Sequence, residues 1–94
     1  MPVLPVLEVC CDSAEAAAAA LQGLGCGAYS GSGRIELCAA LSDGGLTPSL
    51  GLQEAVVRMA AAAKRPVPLM VLVRPRGGDF CYTSLEHEIM VSRA

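Results

Sequence analysis

The chain has no run of like charge, no C-x-x-C pair, a single histidine and no stretch of ~20 apolar residues. Each absence removes a class of function. Nucleic acid and anionic lipid call for a basic footprint, and a formal net charge of -2 with acids and bases interspersed does not supply one. A membrane helix is not expected without a long apolar run. The start, Met1-Pro2-Val3-Leu4-Pro5, has neither the basic nor the long apolar region of a secretion signal. A soluble, non-secreted protein is therefore expected. The cysteines, Cys10, Cys11, Cys26, Cys38 and Cys81, are odd in number and lack zinc-like spacing. Reduced thiols follow, serving as apolar packing or as soft ligands for a monovalent metal ion. His87 stands inside a helical pattern, where a solvated side chain is the ordinary outcome, and no metal-hydrolase or nucleophile motif appears.

What is present is apolar. Hydrophobic residues make up 53% of the 94 positions, enough for the core of one domain. Val6 to Cys11 reads as a strand covered on both faces, interrupted only by Glu8. Asp12 as N-cap, with Glu15 completing a capping box, would start a helix through the tract Ala16 to Ala20. Gly23, Gly25 and Gly27 stop it, and the segment to Gly33 has the composition of a flexible loop. Arg34 to Ala40 is a second strand. Thr47 with Pro48 behind it, or Ser49 slightly later, launches a helix to Ala63 whose Leu52, Ala55, Val56, Met59, Ala60 and Ala63 share a face. Arg58, Lys64 and Arg65 sit near its C-terminus, where positive charge is solvated and favoured. Pro66 and Pro68 precede a third strand, Leu69 to Val73, and Thr83 or Ser84 caps a third helix from Leu85 to about Arg93, with Glu86 three beyond Thr83. The order β-α-β-α-β-α with apolar strands implies a parallel sheet, either doubly wound or part of a (β/α) barrel.

Charge within these strands needs a reason. The phrase Glu8-Val9-Cys10 recurs as Glu36-Leu37-Cys38. Strand alternation puts Glu8 and Cys10 on one face, Arg34, Glu36 and Cys38 on one face, and Met70, Leu72 and Arg74 in line with them. An unpaired buried charge costs roughly several kcal/mol, so these groups either pair with one another or line a solvent-accessible site. Arg76, Asp79 and Asp43 lie in loops beyond the strands, where an arginine can fork onto a carboxylate or phosphate. Gly44-Gly45 with Thr47 before a helix offers either an anion cradle of backbone amides or a plain helix start.

Taken in order, Glu8-Val9-Cys10 with Asp12-Ser13, then Arg34-Ile35-Glu36-Leu37-Cys38, Gly44-Gly45 with Thr47-Pro48-Ser49, and Arg74-Pro75-Arg76-Gly77-Gly78-Asp79-Phe80 with Tyr82 resemble the amino-terminal part of the copper homeostasis protein CutC family. The resemblance spans nearly the whole chain. It implies an α/β fold in which parallel (β/α) units, about three strands and three helices here, form part of a TIM-like barrel much longer than this chain. Residues 1-94 are thus expected to be an incomplete barrel domain. Two departures stand out: the segment from Gly23 to Gly33 replaces a shorter turn, with Gly33 where the family shows an acid, and the ending Val91-Ser92-Arg93-Ala94 does not look like the family continuation. A fragment or shortened product is expected, with unpaired edges and a tendency to associate.

The resemblance further implies a role in copper homeostasis, with homo-oligomers in the full-length form; the expected location is the cytoplasm, with the nucleus second, and the charge pattern leaves no nucleic-acid or membrane partner expected. Copper, as Cu(I), is the implied cofactor. Cys10 and Cys38 are its leading ligands, because each follows a glutamate by two residues on adjacent strands, and soft Cu(I) prefers thiolate. Cys11 has the opposite parity and should pack, while Cys26 and Cys81 fall in loops. An alternative, weighed against the absence of an enzyme motif, is a barrel enzyme acting on a small anionic or phosphorylated metabolite. Glu8 or Glu36 would be its general base, and Arg34, Arg74 and Arg76, with Asp79 nearby, would bind the substrate. A third reading is an inactive truncated form.

Overall fold

A computed structural model describes residues 6–25, 32–63 and 66–91. Cys26, the segment around Tyr29 expected as a loop, Lys64, Arg65 and Arg93 lie outside them. The elements run β1 (Leu7–Cys11), α1 (Ala14–Leu24), β2 (Gly33–Leu37), α2 (Leu50–Ala61), β3 (Leu69–Val71) and α3 (Ser84–Val91), with a short 3-10 turn over Leu41–Asp43 before α2. The strands form one parallel sheet in the order β1-β2-β3. Glu8 stands opposite Arg34, Cys10 opposite Glu36, and Glu36 opposite Met70.

Both α1 and α2 pack on the same face of this sheet. Ala17, Leu21 and Leu24 of α1 and Val56 of α2 meet Cys11, Ile35 and Leu37, together with Val67, and Val9, Leu52, Met59, Ala60 and Leu69 close around them. One-sided cover excludes a doubly wound arrangement, which lays helices on both faces, and matches the barrel alternative. It also corrects the expectation of strands covered on both faces: Met70 is half exposed on the far side. Cys11 is 1% exposed and belongs to this core, as its parity required.

Chain starts and stops have local causes. Ser13, not Asp12, caps α1: its backbone is extended and its Oγ accepts the Ala16 N–H at 3.1 Å. Asp12 is instead spent on the neighbouring loop, where its carboxylate accepts the Leu41 N–H at 3.4 Å. Ser49 caps α2 through the Leu52 N–H. The second strand ends at Leu37 because Ala39 turns to pair antiparallel with Leu46, and Ala40 takes the left-handed conformation, with φ 50°. At α3 the expected reciprocal cap forms, with the Glu86 N–H on Thr83 Oγ1 at 3.1 Å and the Thr83 N–H on Glu86 Oε1 at 2.9 Å. Leu85 and Ile89 of this helix remain exposed. Among the described residues no helix is long and apolar enough to cross a membrane.

Candidate functional site

The helix-free face of the sheet carries the charged and sulfur-bearing residues that alternation assigned to it. Arg34 Nε donates to Glu8 Oε2 at 2.5 Å across β1 and β2. Both side chains keep substantial exposure, so the pair contributes about 0–1 kcal/mol and serves more to fix the two groups than to stabilise the fold. One residue pair further along, the Cys10 thiol donates to Glu36 Oε1 at 3.6 Å. Past the end of β2, Cys38 donates its thiol proton to the Cys11 carbonyl at 3.5 Å, and its own N–H meets that same carbonyl at 3.0 Å.

The two thiols differ in access and agree in charge. Cys10 is exposed, whereas Cys38 is 0% exposed. Desolvation first, and then the Glu36 carboxylate, push the Cys10 thiol above its ordinary value. Burial and then the charges at Cys10 and Glu36 do the same to Cys38. Both are therefore thiols rather than thiolates at neutral pH, unlike the activated cysteines of thiol enzymes. Among the described residues no group of three or more His, Cys, Asp or Glu side chains converges on a point where a metal could sit. This face offers the Cys10 and Cys38 thiols, the Met70 thioether and the Glu8 and Glu36 carboxylates, the last two partnered by Arg34 and Cys10.

Arg74 does not join Glu8 and Glu36, so the mutual pairing of Glu8, Arg34, Glu36 and Arg74 open to these charges does not extend beyond Arg34 and Glu8. The physical reason is its place: β3 ends at Val71, and three residues later the side chain reaches loop backbone instead. Its Nη1 donates to the carbonyls of Asp43 (2.8 Å) and Gly45 (3.1 Å), and its Nη2 to that of Gly78 (3.1 Å). The guanidinium carbon lies 5.0 Å from the centre of the Phe80 ring, and the buried Nε has no partner among the described residues. Arg76 is likewise engaged. Its Nε and Nη2 fork onto Glu86, its other bonds go to Asp79 and to the carbonyls of Gly77 and Cys81, and the Tyr82 ring lies beneath it. The forked carboxylate is thus the chain's own, and the Thr83 N–H and Arg76 together hold the Glu86 carboxyl below its usual range. The Gly44 and Gly45 N–H groups bond to Leu41 and Ala40 carbonyls, and the Thr47 N–H to Arg74, so they make no anion cradle. His87 is exposed, with its ring edge-on to Tyr82.

The motifs that order these groups along the chain match the CutC family over residues 5–93. The chain belongs to the CutC family. A "family protein CutC" of Sodalis glossinidius is 47% identical over 89 residues, which are 95% of this chain and 31% of that protein. The copper homeostasis protein cutC homolog of Homo sapiens is 44% identical over 85 residues, 90% of this chain and 27% of that protein. The crystal structure of a CutC protein from Streptococcus agalactiae superposes with a TM-score of 0.68 at 31% identity, covering 93% of this chain and 37% of that one. The chain therefore spans about a third of these CutC proteins, and its three parallel strands are part of a TIM-like barrel. In such barrels, sites lie at the carboxyl ends of the strands, which is where Cys38, Arg74 and the loops around them stand. Thr47 and Glu86 are parts of this CutC strand-end region that sequence reasoning gave only capping roles. Thr47 Oγ1 accepts the Arg74 N–H at 2.8 Å, joining two loops, and no periodicity announces that contact.

Proposed function

We propose that this chain contributes to copper homeostasis by binding Cu(I) as cargo through Cys10 and Cys38, with Glu36 beside them. One observation carries the reading: Cys10 on β1 and Cys38, just past the end of β2 with its N–H on the Cys11 carbonyl, follow the same alternation on neighbouring chain segments, and the Cys10 thiol donates a hydrogen bond to Glu36. Thiolate sulfur is the donor that soft Cu(I) prefers, and two donors suffice for a low coordination number. Each thiol must give up its proton to bind, and both protons leave to solvent as the sulfurs take the metal, the one on Cys10 Sγ from its hydrogen bond with Glu36. The anion-binding reading has less to work with, because the donors of Arg76 are spent on Glu86 and loop oxygens, Arg34 is paired with Glu8, and the terminal nitrogens of Arg74 are occupied by carbonyls. The copper role named for the human relative supports the same direction.

Competition between the chain and a coloured Cu(I) chelator under anaerobic conditions tests this. The Cys10→Ser/Cys38→Ser double variant is expected to lose more than about 100-fold in affinity, beyond the effect of disturbing an outer-shell contact. Unchanged affinity rejects the reading.

A further inference from the structure

We propose that Arg74 is a positioning residue that clamps the loop between β2 and α2 over the Cys38 thiol and so governs when that sulfur can be reached. The starting observation is the contrast between neighbours on one face: Cys10 is open, whereas Cys38 is sealed. The seal is the loop. An atom attached where Gly45 lacks its side chain would lie 3.8 Å from Cys38 Cβ and 4.0 Å from its Sγ, so the open face of Gly45 is turned toward Cys38 and a side chain there would rest on it. It would also stand 2.9 Å from Leu72 Cδ2, so Leu72 and Cys38 meet the same face of Gly45.

The loop holds its shape through the Ala39–Leu46 pair, at 2.8 and 2.7 Å, and its glycine amides are satisfied internally. What fixes its tip to the rest of the molecule is Arg74. The guanidinium takes the carbonyls on both sides of Gly44, those of Asp43 and Gly45, and the Arg74 backbone is bonded to Thr47 through both its N–H and its carbonyl. Gly44 and Gly45, with φ of 85° and 94°, allow the turn, and a side chain at Gly44 would come within 3.0 Å of Nη1. Arg74 is itself braced by the Gly78 carbonyl and the Phe80 ring. One cation, with no carboxylate partner among the described residues, thus couples the loop after β3 to the cover over Cys38. A metal arriving at the face meets Cys10 first, and Cys38 joins when the cover lifts. That consequence deepens the copper reading and rests on it. The clamp itself concerns only a thiol and a loop.

Site-resolved alkylation of the metal-free chain with N-ethylmaleimide, followed by peptide mass spectrometry, tests the clamp. Cys10 should react faster than Cys38. In Arg74→Ala the Cys38 rate should rise about tenfold, as the loss of a charge-assisted hydrogen bond would give, while Cys11 in the helix-packed core stays slow. In Arg74→Lys, which keeps the charge without the fork, the rate should fall between the two. A merely structural role predicts neither that selectivity nor that graded rescue. The proposal is overturned if the Cys38 rate does not change, or if Cys38 and Cys11 accelerate together in the lysine variant as well as in the alanine variant. Because no copper is present, a gated Cys38 that fails to bind Cu(I) would sink the copper reading and leave the clamp standing.

Discussion

Adding one methyl group at Gly33 is expected to strain the junction that seats β2 under α1. A Cβ at Gly33 would lie 2.4 Å from Leu24 Cδ2, 3.0 Å from its Cγ and 3.1 Å from its Cβ. Carbon atoms rest about 3.5–4.0 Å apart, so the nearest contact is more than an ångström too close. Leu24 is 4% exposed, so it has no free solvent side to swing into, and the approach to its Cβ means that the helix end must move as well. Overpacking of this kind costs about 1–3 kcal/mol. With a urea slope near ~1 kcal/mol/M, the low end of the range for small proteins, Gly33→Ala should lower the unfolding midpoint by about 1 M or more. Leu24→Ala alone should cost about 2–5 kcal/mol through the cavity it leaves. In the double variant the new methyl enters that cavity, so the two losses should fall short of their sum by at least about 0.5 kcal/mol. Urea denaturation of the four proteins by circular dichroism measures the cycle. Strict additivity, or a Gly33→Ala variant as stable as the parent, would show that the Leu24 contact does not set the cost.

Other outcomes follow from particular contacts. Ser49→Ala should cost about 1 kcal/mol by removing the cap of α2, whereas Thr47→Ala should leave that cap intact and loosen the Arg74 loop, a distinction that amide exchange at Leu52 and at Arg74 resolves. Asp79 and Glu86 both have carboxyls held low, Asp79 by the Cys81 N–H and then Arg76, Glu86 by the Thr83 N–H and then Arg76. Depressed carboxyls stabilise above their ordinary values of 3.8 and 4.5 and lose that contribution as the pH falls through the lower folded values. The start of α3 should therefore loosen below about pH 4, seen as faster amide exchange near Thr83, and Glu86→Gln should weaken that acid sensitivity. Exchanging Arg34 for methionine should change stability by no more than about 1 kcal/mol, because its pair with Glu8 is open to water.

The strands and the faces they present could be read from the chain because apolar runs interrupted by single charges have one consistent solution: Glu8, Arg34 and Glu36 away from the helices, Val9, Ile35 and Leu37 toward them. The stripe of α2 was equally readable, with Val56 at its buried centre. What alternation could not supply was anything past the last ladder bond. Arg74 keeps the right parity, yet beyond Val71 no strand enforces it, and backbone carbonyls compete successfully for its guanidinium. Asp12 and Ser13 are both good caps, and only the Leu41 N–H, distant in sequence, draws Asp12 away. Arg76 finds Glu86 ten positions further along the chain, past the loop that leads into α3, a separation that carries no helical or strand period. The unequal exposure of Cys10 and Cys38 was hidden for the same reason, since the repeated phrase gives the two cysteines identical local settings and the cover over one of them is tertiary.

The three strands share a common phase in the numbering. Within the strands Glu8, Cys10, Arg34, Glu36 and Met70 look away from the helices, and Val9, Cys11, Ile35, Leu37 and Leu69 look toward them. Inserting or deleting one residue inside β2 would exchange the two sets from that point to the strand's end, driving Glu36 into oil and bringing Leu37 to water. Such a frame tolerates substitution at many places and length change at almost none, so natural variation in strand length should be confined to the connections.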